Sequence, residues 1–105
     1  MKLNEAAENA YKTAIKRERN GGAIKIQDIL KHTAGEVIEA AQAREAWADN
    51  EFLIEAYKEH YAEELADVII CVLIAAYEDG VDIENAVNLK MQKNAQRAAM
   101  QSDKL

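Results

Sequence analysis

The chain has 105 residues, no proline, four glycines and one cysteine, with 19 acidic against 13 basic side chains and a net charge of −6. An acidic surface does not displace phosphate counterions as a general nucleic-acid binder must, so that class is disfavoured and no nucleic-acid partner is expected. The single cysteine rules out an internal disulfide and suits a reducing compartment.

The length gives one domain, residues 1–105, with a modest core. Abundant Ala, Glu and Lys without proline make the fold class all-α. The opening stretch MKLNEAAENAYK lacks the apolar run of a signal peptide. The longest apolar run, Val68 to Ala76, is nine residues, far below the roughly 20 of a membrane span. The expectation is therefore a cytoplasmic protein with no membrane partner.

Apolar residues at three- and four-residue steps, Leu3, Ala6, Ala7, Ala10, Tyr11, Ala14 and Ile15, predict a first helix over about 3–19. Asn4 is a candidate cap, and Asn20-Gly21-Gly22 supplies the stop. The second helix is expected over about 25–48. Its ordinary core stripe is Ile26, Leu30, Thr33, Val37 and Ala41. A neighbouring line, Ile29, Thr33, Glu36, Ala40, Ala43 and Trp47, places Glu36 among small and apolar residues, which a solvated charged face would not do.

Residues 51–58 read equally as a short helix or as the first turns of the third, which covers about 59–78 and stops at Asp79-Gly80. Val68 to Ala76 is apolar all round the helix, so it needs cover on a second side, and another copy of so small a chain is the natural cover. Cys71, inside this run, reads as a small buried hydrophobe. Asp82 is an N-cap for a fourth helix reaching about Met100. One of its faces passes from Ile83 and Val87 to Lys90, Asn94 and Arg97. The tail from Gln101 is expected to fray. The sum is a four-helix-bundle-like protomer that assembles as a homo-oligomer.

The chemistry concentrates between Gly35 and Asp67. Glu36/Glu39 and Glu64/Asp67 are each spaced i, i+3, so both carboxylates of a pair share a helix face. Folding helices 2 and 3 into an antiparallel hairpin sets Glu36 opposite Asp67 and Glu39 opposite Glu64, with the polar break Ala48-Asp49-Asn50 near the turn. Two carboxylates about 4 Å apart repel by about 4 kcal/mol at an effective dielectric near 20. A fold stable by about 5–15 kcal/mol does not hold four such charges together unaided. Either the pairs face water separately or a cation binds between them, and an all-oxygen set favours Mg²⁺, with Mn²⁺ as substitute, over zinc. His32 and His60 each precede a site carboxylate by four residues. Neither forms the Glu-x-x-His of di-iron bundles, so both read as supporting or surface groups.

Gly35-Glu36-Val37-Ile38-Glu39, followed after 24 residues by Glu64-Leu65-Ala66-Asp67, resembles the MazG-type signature, EExxE and then ExxD. Gly35 stands where that signature has its first glutamate. Lys90-x-x-x-Asn94-x-x-Arg97 is similar to the family's phosphate-binding segment on the last helix. The resemblance spans about residues 25–98. It implies a dimeric or tetrameric all-α nucleoside triphosphate pyrophosphohydrolase, which releases a nucleoside monophosphate and pyrophosphate. It further implies that Glu36, Glu39, Glu64 and Asp67 are catalytic and hold Mg²⁺, that one of them, Glu39 among the candidates, takes the proton of the attacking water, and that Lys90, Asn94 and Arg97 bind phosphate. Trp47 and Tyr61 become candidates for stacking on the base. Two rival classes are an iron-dependent redox bundle and a catalytically silent helical oligomer acting as a protein-interaction module.

Overall fold

The computed structural model describes residues 2–50 and 54–103. They form four α-helices, α1 (Leu3–Arg19), α2 (Ile29–Asp49), α3 (Ile54–Glu78) and α4 (Ile83–Asp103), with a 3-10 turn at Ile26–Asp28 before α2. No strand occurs among the described residues. Residues 54–58 are the first turns of α3, while 51–53, at the expected hairpin turn, lie outside the described residues. The helix α4 continues through 101–103, past the residue from which the tail is expected to fray.

α2 and α3 pair as the expected hairpin, and α1 lies along α3. Ile26, Ile29, Cys71, Ile74 and Ala75 form the core cluster, on which Ala10, Tyr11, Ala14 and Ile15 of α1 pack. The Cys71 thiol is buried there, and burial pushes its pKa up, as suits a small hydrophobe. The α1 stripe stops where Gly21 adopts φ 83°, a conformation cheap only without a Cβ. The Gly22 N–H then donates to the Arg17 carbonyl at 2.8 Å. A Cβ at Gly22 would stand 2.7 Å from that same oxygen, so the chain leaves α1 tightly folded against its last turn.

Three expectations are corrected. Lys2, not Asn4, occupies the N-cap position of α1. Asn4 instead ties α1 to α4: its Nδ2 donates to Asp82 Oδ1 at 2.9 Å, its Oδ1 accepts from the Glu84 N–H at 3.2 Å, and its own N–H donates to Glu84 Oε1 at 3.0 Å. Asp82 does cap α4, accepting from the Asn85 N–H at 3.1 Å. Replacing Asn4 with Ala is expected to speed amide exchange along α4 while leaving α2 and α3 protected, because these bonds are the main tie of α4 to the rest. Unchanged exchange in α4 would show that it is held elsewhere.

Secondly, the buried line of α2 is Ile29, Thr33, Ala40 and Ala43, the line that contains Glu36. Leu30 and Val37, read as core, are 65% and 50% exposed. The two stripes lie one residue apart around the helix, and periodicity does not tell which of them faces α3.

Thirdly, the protomer is not a closed four-helix bundle. α4 meets chiefly α1, and every residue from Asn85 to Gln101 is exposed. The radius of gyration is 17.1 Å, against about 13 Å for a compact domain of this length. The accessible surface is 8109 Å², against about 5,900 Å² for a compact monomer of this mass. No described helix is long and apolar enough to cross a membrane.

Candidate metal centre and the cavity beside it

Glu36 stands on the buried line of α2 because its neighbours along that line are small: Thr33, whose hydroxyl is turned back onto the Ile29 carbonyl at 2.7 Å, and Ala40. The α2–α3 pairing brings Glu64 and Asp67 against it. One carboxylate oxygen from each of Glu36, Glu64 and Asp67 lies within 4.8 Å of the other two. Glu39 is exposed and falls outside this group; of the two acidic pairs, one contributes both members and the other contributes one.

Glu36 and Glu64 are partly buried, and each has one carboxylate oxygen, Oε2, that is buried and accepts no hydrogen bond. An unsatisfied buried acceptor costs about 1–3 kcal/mol, more when it carries charge. These two atoms, with Asp67 beside them, make a cluster of carboxylate oxygens in which neither orphaned oxygen meets a donor among the described residues. That donor set fits a hard divalent cation, which would satisfy both orphaned oxygens and cancel their repulsion. His32 Nε2 lies 2.9 Å from Glu36 Oε1, so the histidine braces the carboxylate from the side away from the orphaned oxygen. His60 Nε2 is 3.8 Å from Glu64 Oε1, too far for a hydrogen bond.

Burial pushes the Glu36 pKa above its ordinary value, and the negative charges of Glu39, Asp67 and Glu64 add to the rise while His32 opposes it. The sign of the consequence follows. A carboxyl whose folded pKa is raised costs stability once the pH exceeds its unfolded value, and the cost is complete above the folded value. Metal-free protein is therefore expected to melt higher in mild acid than at neutral pH as far as Glu36 is concerned, and added Mg²⁺ or Mn²⁺ is expected to raise the neutral melting temperature selectively. Thermal scans in EDTA and in metal across this range check both signs; equal metal stabilisation on either side of the Glu36 titration would contradict them.

Glu36 and Asp67 are among the residues lining a cavity of about 250 Å³ between α1, α2 and α3. Arg17 and the Gly22–Ile24 segment form its outer wall, and Ile26, Ile29, Ile70 and Ile74 form its apolar part. Lys90, Asn94 and Arg97 are exposed on α4 and do not line it. Trp47 does not line it either: its ring packs on Tyr61 with centroids 5.9 Å apart, and the Arg44 guanidinium sits 4.7 Å over it. Sequence reasoning missed Arg17. Its signal was present, since the line Ala10, Ala14, Arg17 turns from apolar to basic as α1 ends.

Fold and site together define a class: an all-helical protein whose paired helices gather three carboxylates suited to a divalent cation. The model of the MazG-like family matches residues 24–105, more than three quarters of the chain, and the chain belongs to that family. No curated protein and no solved structure gives a significant match. Family membership suggests function of the nucleotide pyrophosphohydrolase type, with a nucleotide substrate and a divalent metal.

Proposed function

We propose that the protein is a Mg²⁺-dependent nucleoside triphosphate pyrophosphohydrolase, converting an NTP or dNTP and water to the monophosphate and pyrophosphate. The observation that carries this reading is the meeting of Glu36, Glu64 and Asp67 with two buried oxygens left without partners. A family of nucleotide pyrophosphohydrolases then makes a polyphosphate the natural substrate.

In the reaction, the water oxygen bonds to the α-phosphorus. The bond from that phosphorus to the bridging oxygen breaks, and its electron pair leaves with pyrophosphate. A divalent ion, when bound, polarises the phosphorus and lowers the pKa of the attacking water. Glu36, Glu64 and Asp67 hold it. Glu39 is the motif carboxylate outside that group, and its role is to take the water's proton. The His32 contact keeps Glu36 in its rotamer, so the site is set before substrate arrives.

The functional unit on this reading is a homo-oligomer. The protomer leaves Leu30, Ile38 and Ile69 about 60% exposed, and its surface exceeds that of a compact monomer by an amount typical of obligate interfaces. Packing α4 against a second copy would give Lys90, Asn94 and Arg97 an acidic site to serve; α4 by itself leaves them in water.

The deciding experiment is a panel of NTPs and dNTPs with Mg²⁺, Mn²⁺ or EDTA, with pyrophosphate resolved from orthophosphate. Monophosphate plus pyrophosphate, lost in EDTA, is expected. Orthophosphate as the product would overturn the bond assignment. No turnover with metal bound would leave the exposed apolar faces as the functional feature, that of a protein-interaction module.

A further inference from the structure

The acidic centre accounts for the phosphates of the proposed substrate and leaves its organic end unplaced. A polyphosphate held at Glu36, Glu64 and Asp67 can extend into solvent or into the cavity that Glu36 and Asp67 open onto. The lining of that cavity is mixed. Besides the carboxylates it includes Ile26, Ile29, Ile70 and Ile74. Its volume of about 250 Å³ lies below the roughly 300–1,000 Å³ of sites for drug-sized ligands, which suits a ring system.

Arg17 is the basic residue of this lining, apart from His32. The Asn4 bonds to Asp82 and Glu84 and the Tyr11–Tyr77 ring contact at 4.8 Å set α1 antiparallel to α3. Continued to the end of α1, that pairing puts Arg17 level with Cys71, one helical turn from Asp67. Arg17 lines the cavity and forms no salt bridge among the described residues. An exposed guanidinium that lines the same cavity as Glu36 and Asp67 and has no carboxylate partner of its own is free to meet a ligand that arrives with negative charge. The tight turn at Gly21 and Gly22, where a Cβ would meet the Arg17 carbonyl at 2.7 Å, fixes the last turn of α1 that carries it.

We propose that this cavity receives the nucleobase end of the substrate, and that Arg17 binds the nucleotide where its phosphates leave the acidic centre. The inference rests on the pyrophosphohydrolase reading and extends it to specificity. Apart from Arg17, His32, Glu36 and Asp67 the lining offers no charged, amide or hydroxyl side chain, and His32 is engaged with Glu36. The pocket therefore reads the size of a base rather than its hydrogen-bonding edge. Apolar pockets discriminate between similar ligands only by about 10–200-fold per methyl-sized difference, so bases of equal ring size should differ in kcat/KM by less than about 200-fold. Trp47 and the isoleucine chamber lie on opposite sides of Glu36 along α2, so the two candidate base sites are mutually exclusive for one bound nucleotide.

The test compares two probes by calorimetry in Mg²⁺: an α,β-methylene nucleoside triphosphate, which is not cleaved at that bond, and inorganic tripolyphosphate. Ala23→Trp, a change on the exposed segment bordering the cavity, fills the chamber without touching the buried core. It is expected to weaken nucleotide binding at least about tenfold and tripolyphosphate binding less than twofold. Arg17→Ala should weaken both probes, by about tenfold for nucleotide, with Arg17→Lys recovering part of the loss. Ala23→Trp weakening neither probe, or both equally, overturns the inference, as does wild-type protein that binds nucleotide no more tightly than tripolyphosphate. A spread well above about 200-fold among bases of one ring size overturns the size-reading claim, because only a site that reads a hydrogen-bonding edge reaches about 10⁴. Wild-type protein that binds neither probe overturns the pyrophosphohydrolase reading itself, and this inference with it.

Discussion

Asp67→Asn and Glu64→Gln are each expected to abolish turnover while raising the melting temperature of the metal-free protein. The two effects have one cause. Three carboxylate oxygens within 4.8 Å of one another repel by about 3 kcal/mol per pair at that distance and an effective dielectric near 20. Screening and relaxation reduce this, so neutralising one partner should return about 1–2 kcal/mol, roughly 4–15 °C in a domain of this size. The same change removes a ligand from the cation and costs several kcal/mol of transition-state stabilisation, on the order of 10³ in kcat. Added Mg²⁺ should stabilise the wild type through mass action and the variants much less. Product analysis with thermal scans in EDTA and in Mg²⁺ reads all of it. Turnover within tenfold of wild type in both variants, or a lower melting temperature in EDTA, would remove these residues from the site.

If the chain assembles as proposed, Ile69→Lys is expected to dissociate the oligomer into monomers without unfolding the chain. Ile69 is 57% exposed on α3, beside Leu65 and Val72, which are also exposed, so the protomer alone loses little by the change. At a two-fold interface each copy contributes the residue, and the substitution counts twice. Burial of an isoleucine side chain is worth about 1.5–3 kcal/mol, so dissociation should tighten or weaken by factors set by twice that: here a rise in the dissociation constant of at least about a hundredfold. Sedimentation across a concentration series, with helicity monitored by circular dichroism, separates dissociation from unfolding. A wild-type chain that is monomeric at every concentration would show that its apolar faces serve a different partner.

The helices themselves were readable because their signals are local. α1 ends where asparagine and two glycines permit it, Asp82 caps α4, and the absence of proline leaves few other breaks. The i, i+3 acidic pairs were readable for the same reason, and their hairpin partnership followed from spacing about a single turn. The family signature adds the chemistry that such carboxylates serve.

Other features depend on which face meets which neighbour, and helical period does not specify that. Glu36 is flanked by apolar residues on either side, and the α2–α3 contact buried its own line rather than that of Leu30 and Val37. Asn4 looks like a cap from its position, yet the crossing of α1 over the start of α4 drew its side chain away. Glu39 and Glu36 are equivalent by spacing, but only Glu36 faces the hairpin partner closely enough to join Glu64 and Asp67. Arg17 lies far in sequence from both acidic pairs and reaches the cavity because the Gly21–Gly22 turn folds the chain back against α1. The sequence by itself determined an all-helical, acidic chain with two carboxylate pairs of a nucleotide pyrophosphohydrolase type, since composition, period and motif are properties of neighbouring residues. Only the tertiary structure decided which three carboxylates converge, which oxygens are left without partners, and which arginine lines the same cavity, because each of these depends on how the helices meet.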